Sequence, residues 1–303
     1  MTILVASASG LVLDGEVVAL EGRDVTSVAR SRDGWLAVTD RSTVHMIDRD
    51  WRATTLATIP GIDAIAEFGD RAVAGVEGAH LVAADGEPDA GFDDHPDRRS
   101  WYTPWGGPPT VRSLDEGFDG FRWVNVHVGG VLVDDGTGWR ATMDIDNDVH
   151  QVIAHPTRPG TALCAAAVGL GWTTDAGATW QWSADGLHAR YARAVAAVGD
   201  LAFLSVSRGP GGRDAAVYRG RPGEALTPCE GIGRHQDNID TDWIAASAGM
   251  VGVAVPDGRV FASTDEGVTW DEAFTVDGPR ALTIDTDRAV RPKTETPHDQ
   301  RHR

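Results

Sequence analysis

Two octapeptides in this chain follow one pattern. Thr173-Thr174-Asp175-Ala176-Gly177-Ala178-Thr179-Trp180 and Ser263-Thr264-Asp265-Glu266-Gly267-Val268-Thr269-Trp270 both read Ser/Thr-x-Asp-x-Gly-x-Thr-Trp. A third stretch, Val133-Asp134-Asp135-Gly136-Thr137-Gly138-Trp139, is the same box one residue short. Such a repeat constrains the fold more than composition does, because each copy marks the same place in a recurring structural unit. The residue types describe a tight hairpin between two strands. The Asp carboxylate and the hydroxyls bond turn amides that the ladder leaves unpaired, glycine supplies the positive φ, and Trp180 and Trp270 open the next strand as packing anchors. That chemistry is structural, so Asp175 and Asp265 are not expected to catalyse a reaction.

These boxes resemble the Asp-box, or BNR repeat, of sialidases, sortilin-type receptors and photosystem assembly factors. The resemblance implies a β-propeller of the WD40/YVTN/BNR-like kind, with the boxes on the rim away from the ligand face. The rest of the chain divides accordingly. Residues 149–154, 162–167, 170–174 and 179–183 read as four strands of one blade, from period-two alternation and glycine punctuation. Equivalent inner strands begin near Val25, Ile62, Val111, Val149, Ala192, Ile239 and Ala281. Their mean spacing of about 43 residues suits a four-stranded blade. The last inner strand, 281–285, has no partners after it, while strands 3–7, 11–13 and 17–20 have no inner strand before them. Together they make one blade and close the ring, which removes an open sheet edge. The expectation is an all-β, seven-bladed propeller of four-stranded antiparallel blades over residues 1–288, followed by a polar, disordered tail at 289–303. Six blades is the alternative if the weak second blade is misread.

Composition narrows the partners. Lys+Arg total 27 against 45 Asp+Glu, a net charge of −18, which repels nucleic acid and anionic membranes. No apolar run approaches the roughly 18 residues of a membrane span. The first twenty residues lack a basic start and are interrupted by Asp14 and Glu16, unlike a secretory signal. Two cysteines make no disulfide framework. A cytoplasmic protein is expected.

Two insertions interrupt the period, at residues 85–109 and 227–238. The first carries Trp101 and Trp105, read either as a lid over the ligand face or as anchors of an awkward outer strand.

The second residue of each inner strand falls at the channel mouth: Thr26, Asp63, Arg112, His150, Arg193, Asp240 and Leu282. The second strands add Asp40, Glu77, His127, Ser207 and Arg208, and the incoming loops add His188, Arg190, Tyr191, His235 and Asn238. Three chemistries follow. His127, His150, His188 and His235 with Asp240 offer imidazole nitrogens and a carboxylate to a divalent transition metal. Arg112, Arg193, Arg190 and Arg208 fork onto a ligand carboxylate or phosphate, or else pair with Asp63, Glu77 and Asp240. Asp63 with Glu77 is the pair a glycosidase would use. His150, Asp240, Asp63, Glu77 and Tyr191 are the candidate catalytic residues. The sialidases' Phe/Tyr-Arg-Ile-Pro segment is missing, and with it the expectation of sialidase activity. The reading is a small-ligand site at the channel mouth, for a polar or anionic molecule, with metal-assisted hydrolase or lyase chemistry as an extension. A non-catalytic scaffold that takes a protein partner on the channel face is the alternative. The other histidines are expected to be exposed, and Cys164 to be core.

Overall fold

A computed structural model describes residues 2–143 and 145–285. Seven antiparallel sheets stand around one channel. In chain order, blade 1 is Val25–Ser31, Gly34–Thr39, Thr43–Asp48 and Ala53–Thr58. Blade 2 is Ile62–Phe68, Arg71–Val76 and His80–Ala83. Blade 3 is Thr110–Glu116, Arg122–His127, Gly130–Asp134 and Trp139–Ala141. Blade 4 is Val149–Ala154, Ala162–Ala166, Gly169–Thr173 and Gln181–Ser183. Blade 5 is Tyr191–Val198, Leu201–Ser207, Ala216–Gly220 and Thr227–Pro228, and blade 6 is Ile244–Ser247, Met250–Ala254, Arg259–Ser263 and Asp271–Thr275.

Blade 7 joins the two ends of the described chain. Its inner strand Pro279–Asp285 pairs with Thr2–Ser7, followed by Gly10–Leu13 and Glu16–Ala19. The apolar alternation of the strands fills the gaps between blades, with one buried cluster per gap. Two of these flank the composite blade. Ile3, Val5, Leu282 and Ile284 pack on Met250 and Val260 of blade 6. Leu4, Leu11 and Ala281 pack on Val28 and Trp35 of blade 1. The ring is therefore closed by side-chain packing as well as by the ladder, and seven blades, not six, complete it.

The weak second blade has three strands because residues 84–109 take the place of the fourth. Pro88 makes a single bridge to Val82, and then a short helix Ala90–Asp93 and a 3-10 turn Pro96–Ser100 pack Phe92 and Trp101 into the gap toward blade 3. The inner strand of blade 6 is also shorter than its sequence suggests. It begins at Ile244 rather than Ile239, because residues 240–243 form a turn, Trp243 N bonding Asp240 O at 3.1 Å with Asp242 at φ 62°.

The two full boxes fold alike. Asp175 Oδ1 accepts from Thr179 N at 2.9 Å and Oδ2 from Thr179 Oγ1 at 2.7 Å. Asp265 does the same with Thr269, at 2.9 and 2.7 Å. Thr173 and Ser263 hydroxyls each bond their Asp and accept the amide of Gly177 or Gly267. These bonds, those from Thr179 and Thr269 above all, hold both carboxyls down at about 2. The shortened box keeps the hydroxyl–carboxylate bond, Thr137 Oγ1 to Asp135 at 2.6 Å.

Cys164 is buried and unpaired, as is Cys229. Of the histidines expected to be exposed, His80 is partly exposed, whereas His45, His95 and His155 are buried, each bonded to nearby hydroxyls or turn amides. The tail assigned to 289–303 lies outside the described residues, as do His298 and His302.

Candidate functional site

Six of the seven inner strands are bulged near their N-terminal end. The register breaks between Val25 and Ser27, Ile62 and Ala64, Val111 and Ser113, Val149 and Gln151, and Ala192 and Val195, and between Ala6 and Ser7 opposite Arg280. The residues left out of the ladder include Thr26, Asp63, Arg112, His150, Arg193 and Arg280. A bulge frees one residue from pairing and re-aims its side chain, so the bulges build a ring of side chains at one mouth of the channel. Five positions match the sequence reading. Leu282 does not belong to the ring: it is buried between blades 6 and 7, and Arg280, two residues earlier, holds its place. Asp240 reaches the ring from the turn that precedes the shortened strand of blade 6.

Charges of both signs alternate here. Arg280 bonds Asp24 at 3.1 Å, Arg23 bonds Asp40, and Arg41 bonds Asp63. Asp63 also accepts from the Thr110 hydroxyl, whose backbone pairs with Glu77. The carboxylate pair chosen for a glycosidase is thus tied at Asp63, and Glu77 is exposed. On the other side of the mouth, Arg112 Nη2 donates to Asp240 Oδ1 at 2.7 Å, and Arg193 Nη1 donates to both oxygens at 3.1 Å. Burial pushes the Asp240 carboxyl up, but the two guanidinium groups outweigh it and hold it below the usual range. Arg112 Nε also donates to Thr241 Oγ1 at 3.0 Å. Arg193 lies over the Tyr191 ring and reaches the Pro210 carbonyl, which also accepts from Asn238.

Beside these arginines stand two imidazoles. His127 and His150 have ring centroids 5.5 Å apart, and His150 lies 4.7 Å from Tyr191. Asp148, one residue before the inner strand of blade 4, places Oδ1 3.6 Å from Nε2 of each histidine. Burial, then the nearby Arg112, lowers His127 to about 4 and His150 to about 3, so both are neutral at pH 7. Among the described residues, His127, Asp148 and His150 are the group whose ligand atoms converge, all within 4.8 Å of one another.

The other predicted ligands lie elsewhere. His188 is spent on Tyr218 Oη and the Asp214 carbonyl, both at 2.8 Å, and Arg208 bonds the Asp214 carboxylate. His235 is buried where its backbone bridges Ala215. Asp240 belongs to the arginines. Arg190 is exposed just before blade 5. Asp148 was not chosen from sequence: it precedes the strand at φ 48° and His150 sits at the bulge, so period-two alternation does not relate the two. The two tryptophans divide the alternatives between them. Trp101 is an anchor, buried on Phe92, whereas Trp105 is 63% exposed and its ring lies 5.1 Å from His127.

A cavity opens at the opposite mouth, where the inner strands end, and the sequence reading missed it. It holds about 860 Å³ and is lined in part by Glu67, Asp115, Gln151 and Asp242. Burial raises Asp115 to about 7 and Asp242 to about 6. Size alone does not select this funnel over the first mouth. Its polar groups bond the wall: Asp115 accepts from Ala154 N at 2.8 Å, and Gln151 donates to Asp242 at 2.7 Å. At the first mouth, by contrast, Asp148 Oδ1, His150 Nε2 and Arg193 Nε are buried with no hydrogen-bond partner among the described residues. Buried polar groups without a partner are uncommon, and three of them lie at this mouth.

No known family model and no curated protein matches the chain. Solved structures do. A computationally designed protein, Ika8, superposes with a TM-score of 0.62 at 16% identity, covering 94% of this chain and 87% of that one. A GH74 xyloglucanase from Xanthomonas campestris gives 0.58 at 17%, covering 89% of this chain and 46% of that one. A chain of a nidogen/laminin complex gives 0.53 at 10%, covering 93% and 97%. At these identities the likeness is one of fold, and the class it defines with the sheets above is the seven-bladed β-propeller. The chain spans about half the length of the xyloglucanase. No helix among the described residues is long and apolar enough to cross a membrane.

Proposed function

We propose that the protein binds a small anionic ligand, carrying a carboxylate or phosphate, at the mouth lined by Arg112, Arg193, His127, His150 and Tyr191. One observation carries this reading. Two guanidinium groups, 18% and 16% exposed, share a single carboxylate, and Arg193 Nε has no hydrogen-bond partner. Guanidinium forks hold planar or tetrahedral oxyanions through paired N–H bonds, and their charge here exceeds what Asp240 offsets. Trp105, exposed beside His127, would cover an occupant, and Asn238 positions the loop around Pro210. The test is calorimetric titration of the full chain with inorganic phosphate and with a small dicarboxylate. Replacing Arg112 and Arg193 together with Gln should weaken binding at least tenfold while the circular dichroism stays unchanged. Equal affinity in the variant would refute the reading.

A second reading is favoured by the two raised carboxyls in the funnel at the opposite mouth. Titratable pairs displaced upward in a cavity are how hydrolases keep an acid protonated near neutral pH. Glycoside hydrolases among the similar folds add only an analogy. Hydrolysis of aryl glycosides that disappears in Asp115→Asn and Asp242→Asn, but survives the arginine changes, would move the chemistry there.

A further inference from the structure

His150 Nδ1 lies 2.7 Å from the carbonyl oxygen of Ala192. A carbonyl only accepts, so Nδ1 carries the ring proton and Nε2 presents a bare lone pair. That nitrogen belongs to a side chain with no exposure at all and has no hydrogen-bond partner. It faces Asp148 Oδ1, also buried and without a hydrogen bond, at 3.6 Å. Two acceptors thus point at each other in a space shielded from water, an arrangement that costs free energy unless a positive species lies between them. A shared proton would draw nitrogen and oxygen to roughly 2.8 Å. Ligand atoms about 2.1 Å from a tetrahedral metal stand roughly 3.4 Å apart. His127 Nε2 sits at the same 3.6 Å from the same oxygen.

We propose that His127, Asp148 and His150 bind a divalent first-row transition metal ion through the two Nε2 atoms and Oδ1. Two imidazoles and one carboxylate suit zinc or iron(II), and the borderline-soft imidazole nitrogens disfavour calcium and magnesium, hard cations that prefer oxygen ligands. The Ala192 carbonyl fixes the His150 ring from behind, as outer-shell acceptors do for metal-bound histidines. Three protein ligands leave coordination positions for an oxygen of an incoming molecule. The inference rests on the reading of this mouth as the ligand face. It deepens that reading by giving the anion a metal as well as two arginines. The guanidinium charge of Arg112 and Arg193 opposes a bare cation, and Asp240 and a bound anion offset it.

The full chain, made without a histidine tag and stripped with a chelator, is titrated with zinc chloride by calorimetry and with cobalt(II) chloride by visible absorption. One equivalent should bind, and Asp148→Asn and His127→Ala should each weaken it at least tenfold. The Asn amide can donate to His150 Nε2. The metal-free Asp148→Asn protein should therefore melt at or above the wild-type temperature, while the several-degree rise that zinc gives the wild type is lost. Binding well below one equivalent, or undiminished in Asp148→Asn, overturns the proposal. The variant with Gln at both 112 and 193 should still take up one equivalent. Metal uptake without anion binding in the wild type would defeat only the anion reading. Phosphate binding by arginines in a protein that takes up no metal would defeat only the metal.

Discussion

Arg112 and Arg193 stand on inner strands two blades apart, yet both bond the same oxygen of Asp240, at 2.7 and 3.1 Å. The carboxylate bridges a gap that the shortened strand of blade 6 leaves open, and it occupies donors that an anionic ligand would want. Replacing Asp240 with Asn should raise phosphate affinity about tenfold in calorimetry. It should also cost about 1–3 kcal/mol of stability, below the figure for a fully buried pair because the side chain is 38% exposed. An unchanged affinity would mean that Asp240 does not compete with an anion for the arginines.

The two tryptophans of the blade 2 insertion should separate cleanly. Trp101 is 6% exposed and packs on Phe92 at 5.5 Å, so Trp101→Ala should cost about 3–5 kcal/mol in denaturant unfolding. Trp105→Ala should stay within about 0.5 kcal/mol of wild type, because the ring is exposed. Its effect should show instead as a several-fold loss of ligand affinity.

The glycines of the boxes differ in what surrounds them. Gly267 has φ 77° and a Cβ there would meet Phe203 Cε1 at 2.4 Å, whereas Gly136, at φ 90°, has open space around it. Gly267→Ala should destabilise by about 2–3 kcal/mol and Gly136→Ala by about 1 kcal/mol. Equal costs in chemical denaturation would show that backbone strain alone, not the contact, sets the penalty.

Asp115 and Asp242 titrate higher in the folded chain than in the unfolded one, at about 7 and about 6 against 3.8. The folded state therefore holds more protons between pH 4 and 7, and their contribution to stability is lost as pH rises through the folded values. The Asp115→Asn, Asp242→Asn double variant should gain stability relative to wild type as pH rises from 4 to 8, measured by urea unfolding at each pH. A constant difference across that range would contradict the raised values.

Much of this architecture was legible because the boxes fix the place of the third and fourth strands, and counting outward from them locates inner strands within a residue or two. Ile239 was misplaced for a physical reason: its apolar side chain is buried like a strand residue, but the turn at Asp242 ends any ladder before Ile244. Leu282 failed similarly, since alternation cannot show that the bulge lies opposite Ser7 and shifts the ring position to Arg280. At the site, His127, His150, Arg112 and Arg193 were identifiable from strand position. His188 and His235 were not separable from them, because which loop side chains turn toward the channel depends on partners such as Tyr218 and Asp214 that lie 26 or more residues away from His188. Asp115 and Asp242 were invisible as a pair for the same reason.

The pairing of Thr2–Ser7 with Pro279–Asp285 also sets when the molecule can finish folding. During synthesis the first three strands leave the ribosome without their inner neighbour, and that neighbour is made only after the other six blades have emerged. Until then Ile3, Val5 and an unpaired edge remain open to water and to other nascent chains. Contacts between residues nearly 280 positions apart close last and slowly, so assembly of this ring should be limited by the meeting of its ends rather than by the formation of any single blade.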